Sequence, residues 1–301
     1  MQSEFILLFK RNFPFIVREE DTVREILENN ENIVVEKRDT LGDLIGAAVV
    51  HKNTLLMLCV DKEYRKNGIG TELLIEAERI IKETGYEEVT VGAGYDYLMP
   101  GVPTSKRYAD AVNERLYEGL DTTASDFFEK RGYTHSWDCN CFDMRFPLAE
   151  FENDKYNVGD MVEGICYRFA TEEDAEYVYA CTDMAYEEFT QYYKNEELYR
   201  GGGKQNPKVL IATDGDEVVG TLFLNLETEG EGLGSVGCTT VKPSHQGRHI
   251  GVNMVTIGTK YLKDVGMREA YLGYTYSGLD HMYGYAGYKV CIYYMMAKKN
   301  L

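Results

Sequence analysis

A chain of 301 residues, 44% hydrophobic and 12% aromatic, is long enough for two average domains and too apolar for global disorder. A net charge of −18 works against nucleic-acid binding, which needs a basic face, and gives weak support to a cationic substrate. The longest apolar runs, such as Leu55–Val60, are strand-sized, far short of the roughly twenty residues that a membrane span requires.

In chain order, the first half predicts a short strand at Glu4–Phe9 and a helix around Glu19–Glu28. No secretory signal is expected there, because Met1–Lys10 lacks a small-residue cleavage site. Strands follow at Ile33–Lys37, Leu44–Val50 and Leu55–Val60. The spacing of Ile69, Leu73, Leu74, Ala77, Ile80 and Ile81 predicts a helix from about Gly68 to Thr84, closed by the glycine at Gly85. A strand at Glu88–Gly92, a segment from Tyr95 to Thr123, a short helix at Ala124–Lys130 and one long strand at Tyr133–Phe146 complete this half.

Ala149–Gly159 is polar and acidic, without apolar periodicity, and reads as a linker. The second half opens with a strand at Gly164–Phe169. Thr171-Glu-Glu-Asp174 then has the form of a capping box with Asp in place of Glu, starting a helix that runs towards Tyr193. The loop Gly201-Gly-Gly203 leads to a strand at Lys208–Ala212, and Asp214-Gly-Asp216 signals a hairpin into Val218–Leu226. A strand at Gly234–Val241, a helix at Ile250–Val265, a strand at Glu269–Tyr274, a helix at Gly278–Tyr285 and a strand at Tyr288–Met295 follow.

The two halves repeat one another. Leu55–Gly70 and Ser235–Gly251 align with Val60 on Val241, Arg65 on Gln246, Ile69 on Ile250 and Gly70 on Gly251, 181 residues apart. Asp126–Tyr133 aligns with His281–Tyr288, with Gly132 on Gly287, 155 residues apart. The difference places an insertion in the first copy, near residues 94–123. The chain thus divides into 1–149, a linker at 150–163, and 164–301.

A strand followed by Arg65-Lys-Asn-Gly-Ile-Gly70 and a helix makes a seat for a pyrophosphate. Glycines allow a tight turn that gathers N–H groups, and the helix N-terminus adds unsatisfied donors and positive dipole. Lys62, Arg65 and Lys66 add charge in an otherwise acidic chain. It is not a dinucleotide fingerprint or a P-loop, since the third glycine, the acidic ribose ligand and the Gly-Lys-Ser/Thr are all missing. Cys139-x-Cys141 has no second pair or histidine cluster to complete a zinc site, and the five histidines lack ligand spacing, so no metal is expected. Seven scattered cysteines read as reduced thiols of a cytoplasmic protein.

The grammar of strand, Arg-x-x-Gly-x-Gly and amphipathic helix resembles motif A of the GNAT acetyltransferase superfamily, over nearly all of both copies. The resemblance implies an α/β fold of two tandem domains, each a mostly antiparallel, splayed sheet flanked by helices. It implies an acetyl-CoA-dependent N-acetyltransferase that acts on a primary amine of a small molecule by direct transfer in a ternary complex. Leu58, Cys59 and Val60 would contact the pantetheine arm, and Arg65, Lys66, Asn67, Gly68, Ile69, Gly70 and Thr71 the phosphates. In the second copy the same roles fall to Thr239, Thr240 and Val241, then to Gln246, Gly247, Arg248, His249, Ile250, Gly251 and Val252. His249 stands where the first glycine usually is: it weakens the seat if close backbone approach is needed there, and is harmless if φ is negative.

In this family the general acid is usually a tyrosine four residues before the Gly-Phe/Tyr pair. That offset gives Tyr283 in the second copy and Phe128 in the first. Chemistry is therefore expected in the second copy, with Tyr95, Tyr97 or Tyr108 of the insertion as substitutes in the first. The insertion carries Tyr97-Leu-Met-Pro-Gly-Val-Pro103, similar to a loop of some GNAT proteins, as an acceptor lid or as a packing element. No base is assigned, and the default is deprotonation through water. The rival reading is a catalytically silent acyl-CoA-binding or regulatory module, with Phe128 and His249 as defects. The acceptor's identity and the oligomeric state, a homodimer among the options, are open at this level.

Overall fold

The computed structural model describes residues 2–92, 98–110, 113–153, 155–195, 198–199, 208–226 and 230–301. The chain forms two units, one of residues 1–111, 116–142 and 292–301, the other of residues 112–115 and 143–291. These do not coincide with the division at 149 and 164: residues 143–149 belong to the second unit and the last ten residues to the first.

The first unit opens with α1 (Gln2–Asn12), where a strand is expected from the sequence. Phe5, Ile6, Leu8 and Phe9 are buried while Leu7 is exposed, which is a helical face rather than strand alternation. Glu4 in its first turn and Lys10 and Arg11 in its last suit the helix dipole. Then come α2 (Glu20–Glu28), β1 (Asn32–Arg38), β2 (Leu44–His51), β3 (Thr54–Val60), α3 (Ile69–Glu83), β4 (Glu88–Val91), β5 (Val102–Thr104), α4 (Thr123–Glu129), β6 (Thr134–His135) and β7 (Cys141–Pro147), the last belonging to the second unit from Asp143 on. The single long strand expected at Tyr133–Phe146 is thus two strands. Asn140 interrupts it, its Oδ1 accepting the backbone N–H of Tyr108 at 2.6 Å.

In the second unit follow β8 (Met161–Val162), β9 (Ile165–Phe169), α5 (Ala175–Tyr186), α6 (Thr190–Tyr193), β10 (Lys208–Asp214), β11 (Glu217–Leu226), β12 (Leu233–Val241), α7 (Ile250–Asp264), β13 (Glu269–Tyr276), α8 (Leu279–Ala286) and the start of β14 (Lys289–Met295), while β15 (Ala297–Asn300) belongs to the first unit. Asp174 closes a reciprocal capping box with Thr171, as the sequence indicates. The loop at Gly201–Gly203 lies outside the described residues.

The first unit's sheet has the order β1-β2-β3-β4-β15-β6. β6 is only two residues long, so β4 would keep an open edge; β15 fills it, pairing Ala297 with Val91 through Asn300 with Glu88. Lys299 also reaches Glu78 of α3 at 2.8 Å. That is why the last residues pack with the first unit. The second unit is built on the run β13-β12-β11-β10-β9-β8. α3 buries one face, with Leu73, Leu74, Ala77 and Ile81, whereas α7 is buried all round from Met254 to Thr259.

Candidate acyl-CoA site

In both units a parallel strand pair is joined, among the described residues, only at its start. Among the described residues β3 and β4 pair at Thr54↔Thr90 and Leu55↔Val91, with the Gly92 N–H donating to the Leu55 carbonyl at 3.0 Å. β12 and β13 pair only at Leu233↔Glu269 and Gly234↔Ala270. Beyond those points β3 runs on to Val60 and β12 to Val241, each paired among the described residues with its antiparallel neighbour alone. Both antiparallel pairs carry a bulge, at Val49/Val50 and between Thr221 and Phe223, the latter opposite Cys238 at φ +45°.

After the bulge, Asp61 donates its N–H to Ile45 and Lys242 donates to Val219, so these residues face the paired neighbour. Strand alternation then turns the backbone of Leu58 and Val60, and of Thr239 and Val241, towards the open side. Cys59 and Thr240 turn theirs the other way. Backbone N–H and C=O groups on such an edge need partners, and the amides of a pantetheine arm suit them.

Each strand ends in the same loop. Arg65 (φ −67°, ψ 160°) and Gln246 (φ −65°, ψ 156°) are extended. The next residues, Lys66 and Gly247, are left-handed at φ +65° and +78°. Gly68 and His249, the N-caps of α3 and α7, are left-handed again at φ +85° and +57°. Each loop thus has two left-handed positions and one glycine, placed at the second in one unit and at the first in the other. A Cβ built on Gly68 or on Gly247 meets nothing within 4 Å. His249 is therefore a matter of backbone strain, about 1 kcal/mol, and not of collision.

The leading Arg and Gln do the same structural work. Arg65 Nε donates to the Val60 carbonyl at 2.9 Å, and Gln246 Nε2 to the Val241 carbonyl at 3.2 Å. Arg65 also donates to Asp121 at 2.6 Å and to Asn12 at 3.0 Å. Its guanidinium is committed to the protein.

In the first unit a cavity of about 740 Å³ opens beside this loop, lined by Leu58, Cys59, Val60, Arg65, Lys66, Gly68, Gly70 and Thr71. Asn67 and Ile69 are not on its wall. Asn67 bonds the Tyr64 carbonyl at 3.3 Å, and Ile69 packs into the core. Lys62, Lys130 and Arg131 line the cavity too, as do Phe13 to Ile16 and Phe127. The sequence reading missed Lys130 and Arg131, although they directly precede Gly132 of the repeated motif.

The two loops differ in free charge. Lys62 and Lys66 hold no ion pair among the described residues. In the second unit Arg248 meets Asp214 at 3.1 Å, His245 lies 3.5 Å from the same carboxylate, and Lys242 meets Glu217 at 2.8 Å.

Tyr283 of α8 is buried, whereas Tyr285 is 75% exposed, so only the former faces inward. Burial pushes its phenol up to about 12, and the nearby Thr239 side chain, whose buried hydroxyl meets no hydrogen-bond partner among the described residues, pulls the other way. The phenol and the open edge of β12 thus share one locality. Phe128, at the matching place, is buried against Tyr133 with ring centroids 5.1 Å apart, and it lines the first cavity. Tyr95 and Tyr97 lie outside the described residues; Tyr108 stacks on His135 at 3.6 Å and does not line the cavity. Asp280 accepts the Gly278 N–H at 2.9 Å as a helix cap, and His281 is exposed. No metal-holding cluster of His, Cys, Asp or Glu occurs among the described residues, where no helix is long and apolar enough to cross a membrane.

Paired, bulged and splayed strands leading into glycine-turned phosphate loops define an acyltransferase fold, present twice. Residues 28–135 match the acetyltransferase (GNAT) domain family and residues 166–285 the acetyltransferase (GNAT) family. The chain belongs to the GNAT acetyltransferases and carries two such domains in tandem.

Among solved structures, it is similar to a glucosamine N-acetyltransferase region of a fungal multi-domain beta-N-acetylglucosaminidase, with TM-score 0.74 and 20% identity. That match covers 99% of this chain, which spans only 37% of the fungal one. A GCN5-related N-acetyltransferase from Sphaerobacter thermophilus matches with TM-score 0.65 and 19% identity, covering 100% and 93% of the two chains. A tandem GNAT protein from the clavulanic acid biosynthesis pathway matches with TM-score 0.69 and 15% identity, covering 99% and 94%. At these identities the likeness is one of fold. No curated protein matches the sequence.

Proposed function

We propose that the chain is an acetyl-CoA-dependent N-acetyltransferase of a small-molecule primary amine, with the chemistry in the second unit. The observation that carries this is Tyr283, buried beside Thr239 on the open edge of β12. Acetyl-CoA supplies the activated acyl group. The backbone of Thr239 and Val241 would hold its pantetheine arm, and the loop from Gln246 to Val252 its phosphates.

In this reading an open-edge N–H, that of Thr239, donates to the acyl oxygen as charge develops on it. Tyr283 keeps its proton at neutral pH, because burial disfavours the phenolate, and gives it to the departing sulfur. Water carries the proton away from the amine. The first unit reads as an acyl-CoA holder without an acid of its own, which is what Phe128 in the cavity wall favours.

The test is CoA release from acetyl-CoA with a panel of polyamines, amino sugars including glucosamine, amino-acid derivatives and aminoglycosides. Turnover with at least one amine supports the reading. Binding of acetyl-CoA without turnover on any of them would leave a silent binding module.

A further inference from the structure

We propose that the first unit's cavity holds a second anion seat, formed by Lys130 and Arg131, for the ribose phosphomonoester of coenzyme A. The proposal rests on reading that cavity as a CoA site. Five cations line it, Lys62, Arg65, Lys66, Lys130 and Arg131, against two carboxylates, Asp121 and Asp126. Arg65 takes up Asp121 at 2.6 Å, and Asp126 lies 3.9 Å from Lys106 outside the cavity. Four cations are left without a carboxylate partner among the described residues, in a chain of net charge −18.

A diphosphate bridge carries about two negative charges, and the loop amides already serve it. A phosphomonoester adds about −1.5 to −2, which brings the ligand's charge level with the wall's. Arg131 is also fixed in place. Its guanidinium lies 3.7 Å from the Phe127 ring, donates to the Phe127 carbonyl at 2.8 Å and to Thr71 Oγ1 at 2.6 Å. All these partners are neutral, so the bonds orient the cation beside the first turn of α3 without cancelling its charge. A part-buried cation held this way gains from a paired anion.

The seat is not part of the repeat. The positions that match Lys130, Arg131 and Thr71 in the second unit are Tyr285, Ala286 and Val252. The first unit would then distinguish CoA from its dephosphorylated form, and the second would not.

The experiment is calorimetric titration of the full chain with CoA, with 3′-dephospho-CoA and with adenosine 3′,5′-bisphosphate. CoA should bind more tightly than dephospho-CoA by about tenfold, the worth of one charged hydrogen-bond pair. Lys130→Gln/Arg131→Gln should abolish that preference. Lys66→Gln should weaken both CoA forms alike. The Lys130 side chain makes no hydrogen bond or ion pair among the described residues, so Lys130→Gln alone, with an unchanged melting temperature, should still cut the preference several-fold. Equal binding of the two CoA forms by the wild type, or a preference untouched by these changes, would overturn the seat while leaving the cavity as a CoA site. Failure of both forms to bind would overturn the cavity reading along with it.

Discussion

His249 caps α7 at φ +57°, the same left-handed place that Gly68 takes at φ +85° at the head of α3. The two loops reach one backbone shape with opposite glycine assignments. A histidine there is strained but unobstructed. His249→Gly is therefore expected to raise stability by about 0.5–1 kcal/mol, and Gly68→Ala to lower it by about 1 kcal/mol. Thermal and urea unfolding of the two variants check this.

Arg65 and Gln246 are interchangeable in what they do for the strand end, not in what else they hold. Arg65→Gln keeps a donor for the Val60 carbonyl but loses Asp121 and Asn12. It is expected to cost about 1–2 kcal/mol, less than Arg65→Leu, which also strands a carbonyl. Melting temperatures rank the two variants.

Asp214 stands on Arg248 and His245 at the second loop, where phosphates would compete with it. Removing that charge favours an incoming anion. Asp214→Asn should lower the KM for acetyl-CoA by about fivefold at low salt, with kcat unchanged. A raised KM would mean that Asp214 orients Arg248 for the phosphates.

Burial pushes the thiols of Cys59 and Cys238 up to about 12 and that of Cys181 to about 11. In the unfolded chain they ionise near 9, so stability is fully present below pH 9 and is lost as pH rises through 11 and 12. At pH 8 the buried thiols of Cys59 and Cys181 should react slowly with an aromatic disulfide reagent, and the half-buried Cys139 and Cys166 faster. Residue-resolved labelling by mass spectrometry separates the two groups.

Much of this was legible in the sequence because it is local and repeated. The spacing from Ile69 to Ile81 gave α3, and the matched Val60/Val241 and Gly70/Gly251 gave two loops that prove alike in dihedral angle. What escaped notice depends on distant pairing. Nothing near Ala297 announces that it will sit against Val91, and the short apolar run at Phe5–Phe9 fits either period until its neighbours are known. The cavity wall was half visible. Its loop is a motif, whereas Arg131 owes its place to Thr71, sixty residues away. Asp214 and Glu217 escaped for the same reason: a list of basic residues does not show which ones the fold has already neutralised.

The most direct measurement is the steady-state rate of CoA release by Tyr283→Phe beside wild type, on any amine that the wild type accepts. With the phenol as proton donor in the second unit, kcat should fall by about a hundredfold or more, while the KM for acetyl-CoA stays within about twofold. A Tyr283→Phe enzyme that turns over at the wild-type rate would contradict the assignment and move the chemistry elsewhere in the chain.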